Sequence, residues 1–312
     1  MRHLFSHTVY DGVSRFGDDP YAFLGSVGAD GIELPTAFDE PDRFYRGLVE
    51  TVHLPYATDW MAAWEGRPFD MDADMSLYYM FGRTRGDVAD NVRRAIDAAS
   101  SVSPSYGVFH ATDGPLDELC SRTHSHTSEK VLSEFSEMIN TVASGFPGGE
   151  PPFRILFENL WWPGLRLVDE SDFRYLSRRI EFENWGICLD TGHLMNCLPG
   201  IRTEFDGIEA LLDIFNGYSR DLIDSIYEVH FHWSASWEYR SSFQERRPCG
   251  SLSDFISSVY PHISKIDQHM PFSDPSCSEL LEILDPEIVT HELPGSASSP
   301  EEDFRQQRAL LR

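Results

Sequence analysis

Short runs of β-branched and aromatic residues alternate along the chain with longer stretches whose apolar residues recur at helical spacing. Strand-like runs separated by helical patterns are typical of βα units and a parallel sheet. Eight strands are predicted: His3–Val9, Asp30–Leu34, Thr51–Leu54, Tyr106–His110, Arg154–Glu158, Gly186–Asp190, Ile226–Phe231 and Ile288–Glu292.

The amphipathic stretches between these strands predict the helices Gly86–Ala99, Ser128–Val142, Glu170–Ile180, Ile208–Phe215 and Ser251–Tyr260. A last helix begins at the capping box Ser299-Pro-Glu-Glu and runs through Leu311. Eight strands with intervening helices predict an α/β fold, a single (β/α)8 TIM barrel, and we expect one domain over residues 1–312. The connections 57–86 and 233–266 are long, and long loops on the C-terminal face of a barrel commonly shape a substrate site.

The charge of the chain restricts its partners. The 312 residues include 51 Asp plus Glu against 25 Lys plus Arg, which gives a net charge of -26. Only two of the basic residues are lysines, and no basic run is longer than Arg246-Arg247. Such a surface repels polyanions, so duplex DNA is disfavoured as a partner. The acidity also suits a salt-rich cytoplasm, and the composition does not separate these two explanations.

Composition and cysteine usage place the chain among reduced, non-membrane proteins. No run of about 18 apolar residues occurs, so no membrane partner is expected. The first residues, Met-Arg-His-Leu-Phe-Ser-His, contain no apolar signal-peptide core. The five cysteines are scattered and form no C-x-x-C pair, which argues against disulfides and a zinc knuckle. We therefore expect a cytoplasmic protein; the oligomeric state stays open.

Residues that can bind a metal follow most of the predicted strands. They are His53, His110, Glu158, Asp190, His193, His230, Asp267, His269 and Glu292. Because the C-terminal ends of barrel strands meet at one rim, these side chains would repel one another unless cations neutralised them. Imidazole nitrogens mixed with carboxylate oxygens suit Zn²⁺, with Mn²⁺, Fe²⁺ or Mg²⁺ as alternatives.

From about residue 3 to 311, the chain resembles the xylose isomerase-like TIM-barrel superfamily, which contains AP endonuclease family 2, with endonuclease IV, and the sugar isomerases and epimerases. The resemblance is carried by His53-Leu-Pro-Tyr, Glu158-Asn, Asp190-Thr-Gly-His193, Asp267-Gln-His269 and Glu292. In endonuclease IV nine such ligands hold three zinc ions, and His110 and His230 complete the set of nine here. The isomerase branch keeps four of them, on strands five to eight, and binds one metal.

The resemblance implies a role for two glutamates. In a centre of two or three zinc ions, Glu158 would bridge two ions, and Glu292 would complete the coordination. This interpretation predicts a hydrolase that cleaves a phosphoester, with a small phosphorylated or sugar-like substrate favoured over duplex DNA. In the first alternative, a mononuclear sugar (phosphate) isomerase or epimerase, Glu158 and Glu292 would move a proton between adjacent carbons. The second alternative is an apurinic/apyrimidinic endonuclease in a salt-rich cytoplasm. A barrel that binds metal or a partner without catalysis is a further hypothesis.

Three points stay open in the sequence. His230 and His232 compete for one ligand position, because alternate residues of a strand face the same side. Glu33 could hydrogen-bond a substrate or be a buried structural residue. The arginines Arg240, Arg246 and Arg247 of the long loop could clamp a phosphate, although solvated arginines are the more common outcome.

Overall fold

The fold is described by a computed structural model, which covers residues 1–247, 255–294 and 299–311. Its centre is a closed barrel of eight parallel strands in the order β1 to β8, with β1 paired to both β2 and β8. The strands are β1 Arg2–Ser6, β2 Gly31–Pro35, β3 Val49–His53, β4 Tyr106–His110, β5 Arg154–Glu158, β6 Trp185–Asp190, β7 Ile226–His230 and β8 Ile288–His291. The predicted (β/α)8 TIM barrel is therefore confirmed.

Helices surround the barrel. Within the described residues they are α1 Pro20–Val27, α2 Trp60–Trp64, α3 Ala73–Met80, α4 Arg85–Ser100, α5 Ser128–Ala143, α6 Ser171–Ser177, α7 Thr191–Cys197, α8 Glu204–Phe215, α9 Arg220–Ile223, α10 Trp237–Ser242, α11 Tyr260–Ile263, α12 Ser278–Leu284 and α13 Pro300–Leu310. Short 3-10 segments lie at Val9–Asp11, Ser14–Phe16, Arg43–Tyr45, Leu116–Glu118, Pro147–Gly149 and Pro275–Cys277, and a π-helical turn at Phe255–Val259. None of the described helices is both long and apolar enough to cross a membrane.

The side-chain alternation of the strands sorts residues into two layers. Outward-facing residues such as Ile155 and Phe157 join the large core between barrel and helices. Inward-facing residues such as Val108, Leu156 and Cys188 form a small apolar cluster inside the barrel. Because the period of a strand is two, the next inward positions on these strands are their last residues. The barrel interior thus changes from apolar to polar at its C-terminal end.

Several element boundaries differ from the prediction. The first strand ends at Ser6 rather than Val9, because the hydroxyl of Thr8 accepts a hydrogen bond from the backbone N–H of Tyr10 and starts a 3-10 turn. The predicted helix Glu170–Ile180 is shortened to α6. The connection 57–86 holds α2 and α3, and Asp72 caps α3 by accepting from the N–H of Met75.

The predicted helix Ser251–Tyr260 lies partly outside the described residues, which resume at 255. From there the chain forms the π-helical turn and then α11, so the region contains helix of two kinds. The long connection after β7 also contains α10. It returns to the barrel where Trp233 and Met270 form an isolated β-bridge. The described end of the connection, with Tyr260 and Ile263, therefore lies over the C-terminal face beside the predicted ligands.

Candidate metal centre

Five strands end on a predicted ligand. His53, His110, Glu158, Asp190 and His230 are the last residues of β3, β4, β5, β6 and β7, respectively. The other four predicted ligands come shortly after a strand or helix: His193 lies in α7, Asp267 and His269 lie beyond α11, and Glu292 is the residue directly after β8. All nine predicted side chains belong to clusters in which at least three candidate ligand atoms lie within 4.8 Å of one another. The structure thus brings the whole predicted set to one end of the barrel.

The first ligand group consists of His53, His110 and Glu158. The Nε2 atoms of the two histidines are 3.2 Å apart, and they lie 3.1 and 2.7 Å, respectively, from Oε2 of Glu158. The edge of a tetrahedron around an ion with metal–nitrogen bonds of 2.0–2.1 Å is about 3.3 Å. The three atoms therefore have nearly the mutual spacing that a shared zinc ion requires.

The second ligand group surrounds Nδ1 of His230. This atom lies 3.2 Å from Oε1 of Glu158, 3.3 Å from Oε2 of Glu292 and 3.8 Å from Oδ2 of Asp190. Glu158 consequently presents one carboxylate oxygen to the first group and the other to the second. A carboxylate divided in this way is suited to bridge two ions.

The third ligand group joins His193 and His269 through Asp267. Oδ2 of Asp267 lies 3.4 Å from Nε2 of His193 and 2.9 Å from Nε2 of His269. Both spacings are again close to the tetrahedral edge. This group lies next to the other two, because Nδ1 of His193 is 3.4 Å from Oε1 of Glu158.

Main-chain carbonyls orient three of the histidines. Nδ1 of His53 donates to the carbonyl of Leu54 at 3.0 Å, Nδ1 of His193 to that of Asn159 at 2.9 Å, and Nδ1 of His269 to that of Glu292 at 2.9 Å. A carbonyl only accepts, so each Nδ1 carries a proton and each neutral ring keeps its Nε2 lone pair. These lone pairs face the site, which is the arrangement typical of metal-binding histidines.

The Glu158-Asn159 pair positions neighbouring ligands. The amide of Asn159 donates to the carbonyl of Asp190 at 3.0 Å, and its Oδ1 accepts from the N–H of Asp190 at 2.8 Å. Oδ1 of Asp190 in turn caps α7 by accepting from the N–H of His193 at 2.6 Å. The ends of β5, β6 and α7 are therefore fixed to one another, which holds three ligands in register.

Glu33, for which the sequence left two roles open, is a buried residue beneath the centre. It is fully buried, and its Oε1 lies 3.1 Å from Nε2 of His230, the ring nitrogen that points away from the ligand group. Below it, the carboxylate of Glu228 accepts from the hydroxyls of Thr51 and Thr290. Burial is the main reason why the pKa of Glu228 is raised to about 7. Glu33 is absent from the residues that line the cavity above the centre, and its carboxylate belongs to a cluster with His230 and Glu292 whose candidate ligand atoms lie within 4.8 Å of one another.

His232 lies in the site together with His230. Its Nε2 is 2.8 Å from Oδ2 of Asp190, and its ring stacks on that of His269 with centroids 4.0 Å apart. Gly192, in the Asp-Thr-Gly-His motif, gives this ring its space, because a Cβ there would lie 2.3 Å from Cε1 of His232. His230 is therefore the histidine of the second group. His232 also lies in the site, whereas the sequence analysis expected only one of the two histidines there.

The electrostatics of the site favour cations. Burial lowers the pKa of His53, but the hydrogen bond to Glu158 and its charge outweigh burial and raise the pKa to about 9. Burial likewise lowers the pKa of His269, and the charge of Asp267 outweighs it and raises the pKa to about 10. The carboxylates therefore hold positive charge at neutral pH. A divalent ion would take the place of the protons that these histidines carry.

The buried polar atoms provide a test of whether metal fits. Within the described part of the chain, Oε1 of Glu158, Nδ1 of His230 and Oδ1 of Asp267 are buried and make no hydrogen bond. Leaving such an atom unpaired costs about 1–3 kcal/mol, so native proteins rarely leave several together. Atoms with lone pairs that converge without donors are suited to metal ligation. The residues present therefore fit a metal centre.

The centre opens into a cavity of about 370 Å³. Tyr56, Trp161, Trp162 and Tyr260 contribute aromatic walls to it, and α11 of the long connection closes one side. A second cavity, of about 660 Å³, lies on the other side of the two tryptophans, which line both spaces.

Solved structures with a similar fold include an endonuclease, an epimerase-like protein and an epimerase. Endonuclease IV from Thermus thermophilus is 14% identical over 100% of this chain and 99% of its own, with a TM-score of 0.55. A D-tagatose 3-epimerase-like protein is 13% identical over 100% and 96%, with a TM-score of 0.53. The 3-keto-D-glucoside 4-epimerase from E. coli is 16% identical over 100% and 99%, with a TM-score of 0.51.

At these identities the similarity concerns the fold, and the fold implied by the resemblance is confirmed. No family model matches the chain, and no curated protein matches it.

Proposed function

We propose that the protein is a metal-dependent hydrolase that binds two or three divalent ions, Zn²⁺ above all, and cleaves a phosphoester bond in a small substrate. The observation that carries the proposal is the division of the ligands into three adjacent groups, two of which share the carboxylate of Glu158. A mononuclear isomerase would need only the second group. In such an enzyme, five of the converging side chains would have no role in metal binding: His53, His110, His193, Asp267 and His269.

Divalent ions in such a centre supply Lewis acidity, which neutralises phosphate oxygens and lowers the pKa of water. The chain contributes the placement of that charge. Glu158 is fully buried and presents its two oxygens to different groups, so it would help to hold an ion in each of them. Oε2 of Glu292 lies 3.3 Å from Nδ1 of His230, so Glu292 completes the second group. Trp161 and Tyr56 line the cavity above the centre with aromatic rings.

Two observations support a small substrate rather than duplex DNA. The cavity above the centre has a volume of about 370 Å³, and α11 forms part of its wall. The chain carries a net charge of -26, whereas DNA binding depends on several phosphate contacts from Lys and Arg. A substrate of sugar-phosphate size fits a space of this volume.

The experiment combines metal analysis with substrate tests on the purified chain. Elemental analysis should find two to three equivalents of metal. The reconstituted protein should hydrolyse p-nitrophenyl phosphate or bis-p-nitrophenyl phosphate, and it should leave an abasic-site duplex intact at both low and molar salt. One equivalent of metal with conversion of a ketose would favour the isomerase alternative, and incision at the abasic site would make the protein a repair endonuclease. Either result would refute the proposal.

A further inference from the structure

The second cavity differs from the rest of this acidic protein in its charge. We call it the arginine cavity; residues that line it include Arg166, Arg240, Asn196, Trp161, Trp162 and Trp237. Its lining residues come from the connections that follow β4, β5, β6 and β7, on the same barrel end as the metal centre. With a volume of about 660 Å³ it is larger than the cavity directly above the ligands.

Two guanidinium groups, those of Arg166 and Arg240, line this cavity, and neither forms an ion pair with a described residue. Nη2 of Arg166 donates to the carbonyl of Cys197 at 3.4 Å, and Nη2 of Arg240 donates to the adjacent carbonyl of Leu198 at 2.7 Å. The hydrogen bonds that the described residues accept from these two guanidinium groups end on carbonyls or a hydroxyl and not on a carboxylate, although the chain has 51 acidic residues. Burial lowers the pKa of Arg240, and the nearby charge of Arg166 lowers it further. The two charges therefore repel each other in a half-buried space.

Unpaired donors accompany the two charges. Asn196 is 1% exposed; its Oδ1 accepts from the hydroxyl of Ser236, while its Nδ2 has no partner among the described residues. Nε of Arg166 and Nε1 of Trp161 are also buried and unpaired in the described part of the chain. Buried N–H groups are rarely left without an acceptor, so several in one cavity indicate a missing acceptor. The acceptor that would satisfy amide, indole and guanidinium N–H groups together is an oxyanion.

We propose that Arg166, Arg240 and Asn196 form a phosphate-binding subsite beside the metal centre. The substrate would then be a small molecule with a phosphate group besides the phosphoester that reacts. The planar fork of arginine matches phosphate oxygens in a way that an ammonium does not. Trp161 and Trp162 line both cavities, so the body of the substrate would pass along their rings with one end at each site. This inference rests on the proposed function for the position of the reacting group.

The competing explanation is structural. The arginines donate to carbonyls at and just beyond the C-terminal end of α7, where cations are favourable. A purely structural pair would bind no anion, and its removal would lower stability without changing ligand affinity. The two explanations therefore predict different results in a binding experiment.

The test is calorimetric titration of the full chain with inorganic phosphate at low chloride, in the metal-loaded form and after chelation, with circular dichroism to confirm folding. The chelated wild type should bind phosphate, and Arg166→Gln and Arg240→Gln should each weaken that binding about ten- to hundredfold, as expected for a charge-assisted contact. Arg240→Lys, which keeps the charge but loses the fork, should retain intermediate affinity. Arg202→Gln is the matched control, because Arg202 is exposed and paired with Glu238.

Two results would overturn the inference: no phosphate binding by the folded, chelated wild type, or equal binding by the wild type and both glutamine variants. If Arg240→Gln fails to fold, Arg240→Lys and Arg166→Gln still decide the question. The metal content of the same samples keeps the two proposals apart. If the reconstituted wild type takes up no metal but binds phosphate through these arginines, the multinuclear hydrolase is refuted and the anion subsite stands. If it takes up two or three ions but binds no phosphate once chelated, the anion subsite is refuted and the hydrolase stands.

Discussion

Replacing Glu158 with glutamine tests the shared carboxylate directly. Oε2 of Glu158 lies 2.7 Å from His110 and 3.1 Å from His53, and Oε1 lies 3.2 Å from His230. Glutamine keeps the shape but has no charge, and its NH2 group would face imidazole nitrogens that need a cation. Two of the three ligand groups lose a ligand through this single change.

The expected loss can be bounded from below. Removing a group that only orients a ligand weakens metal binding about 10- to 100-fold, so removing a shared direct ligand should weaken binding at two positions by at least about 100-fold. We expect Glu158→Gln to lose one or two equivalents of metal on dialysis and to retain less than about a tenth of wild-type phosphoesterase turnover, because fewer ions remain to neutralise the phosphate.

The assay is elemental analysis after dialysis against a weak chelator, and then turnover at saturating metal. Glu238→Gln is the control, because Glu238 is exposed and pairs only with the surface residue Arg202 among the described residues. If Glu158→Gln kept the full metal content and more than a tenth of the activity, Glu158 would not bridge the ions, and the reasoning from the shared oxygens would be wrong.

Three further outcomes are expected. Chelation should lower the melting temperature of the wild type in scanning calorimetry, and zinc should restore it, since a ligand at 100 times its Kd adds about 2.7 kcal/mol; an unchanged melting temperature would mean that no metal binds the native state. His232→Asn should weaken metal binding about 10- to 100-fold in a competition titration, and His230→Asn should weaken it more, because the ring nitrogens of His232 lie within 4.0 Å of one predicted ligand carboxylate, Asp190, while those of His230 lie within 4.0 Å of three. Gly164→Ala should destabilise the fold by about 1–3 kcal/mol in denaturant unfolding, because its Cβ would lie 2.3 Å from the carbonyl of Ala111; Gly25→Ala in α1, which has open space, should not.

The sequence predicted which side chains converge at one end of the barrel, because these residues occupy repeated positions at strand ends. β4 and β5 have the predicted bounds Tyr106–His110 and Arg154–Glu158, and each ends on a polar residue that breaks an apolar run. A barrel places such residues together by topology alone, so no knowledge of individual contacts was needed. Whether the nine residues bind metal stays a prediction.

The arginine cavity, the position of His232 and the helices between residues 57 and 86 were not predicted. They depend on contacts between loops and on local capping, which the hydrophobic pattern of the sequence does not show. Arg166 and Asn196 come from different connections, and only the folded chain shows that they share a cavity with Arg240. The position of His232 depends on the space over Gly192, and the helices between residues 57 and 86 depend on local capping. Arg240 was one of three candidate phosphate ligands in the sequence; the other two, Arg246 and Arg247, are exposed.

The closure of the barrel bears on the order in which the protein assembles. Its first and last strands are neighbours, with Arg2 opposite Ile288, and the final ligand, Glu292, comes directly after the last strand. Contacts between residues so distant in sequence form late, because the loop entropy must be overcome first. The second ligand group is therefore incomplete until nearly the whole chain has folded. A bound ion would then stabilise the native state more than the folding transition state, so it would slow unfolding while leaving the folding rate nearly unchanged.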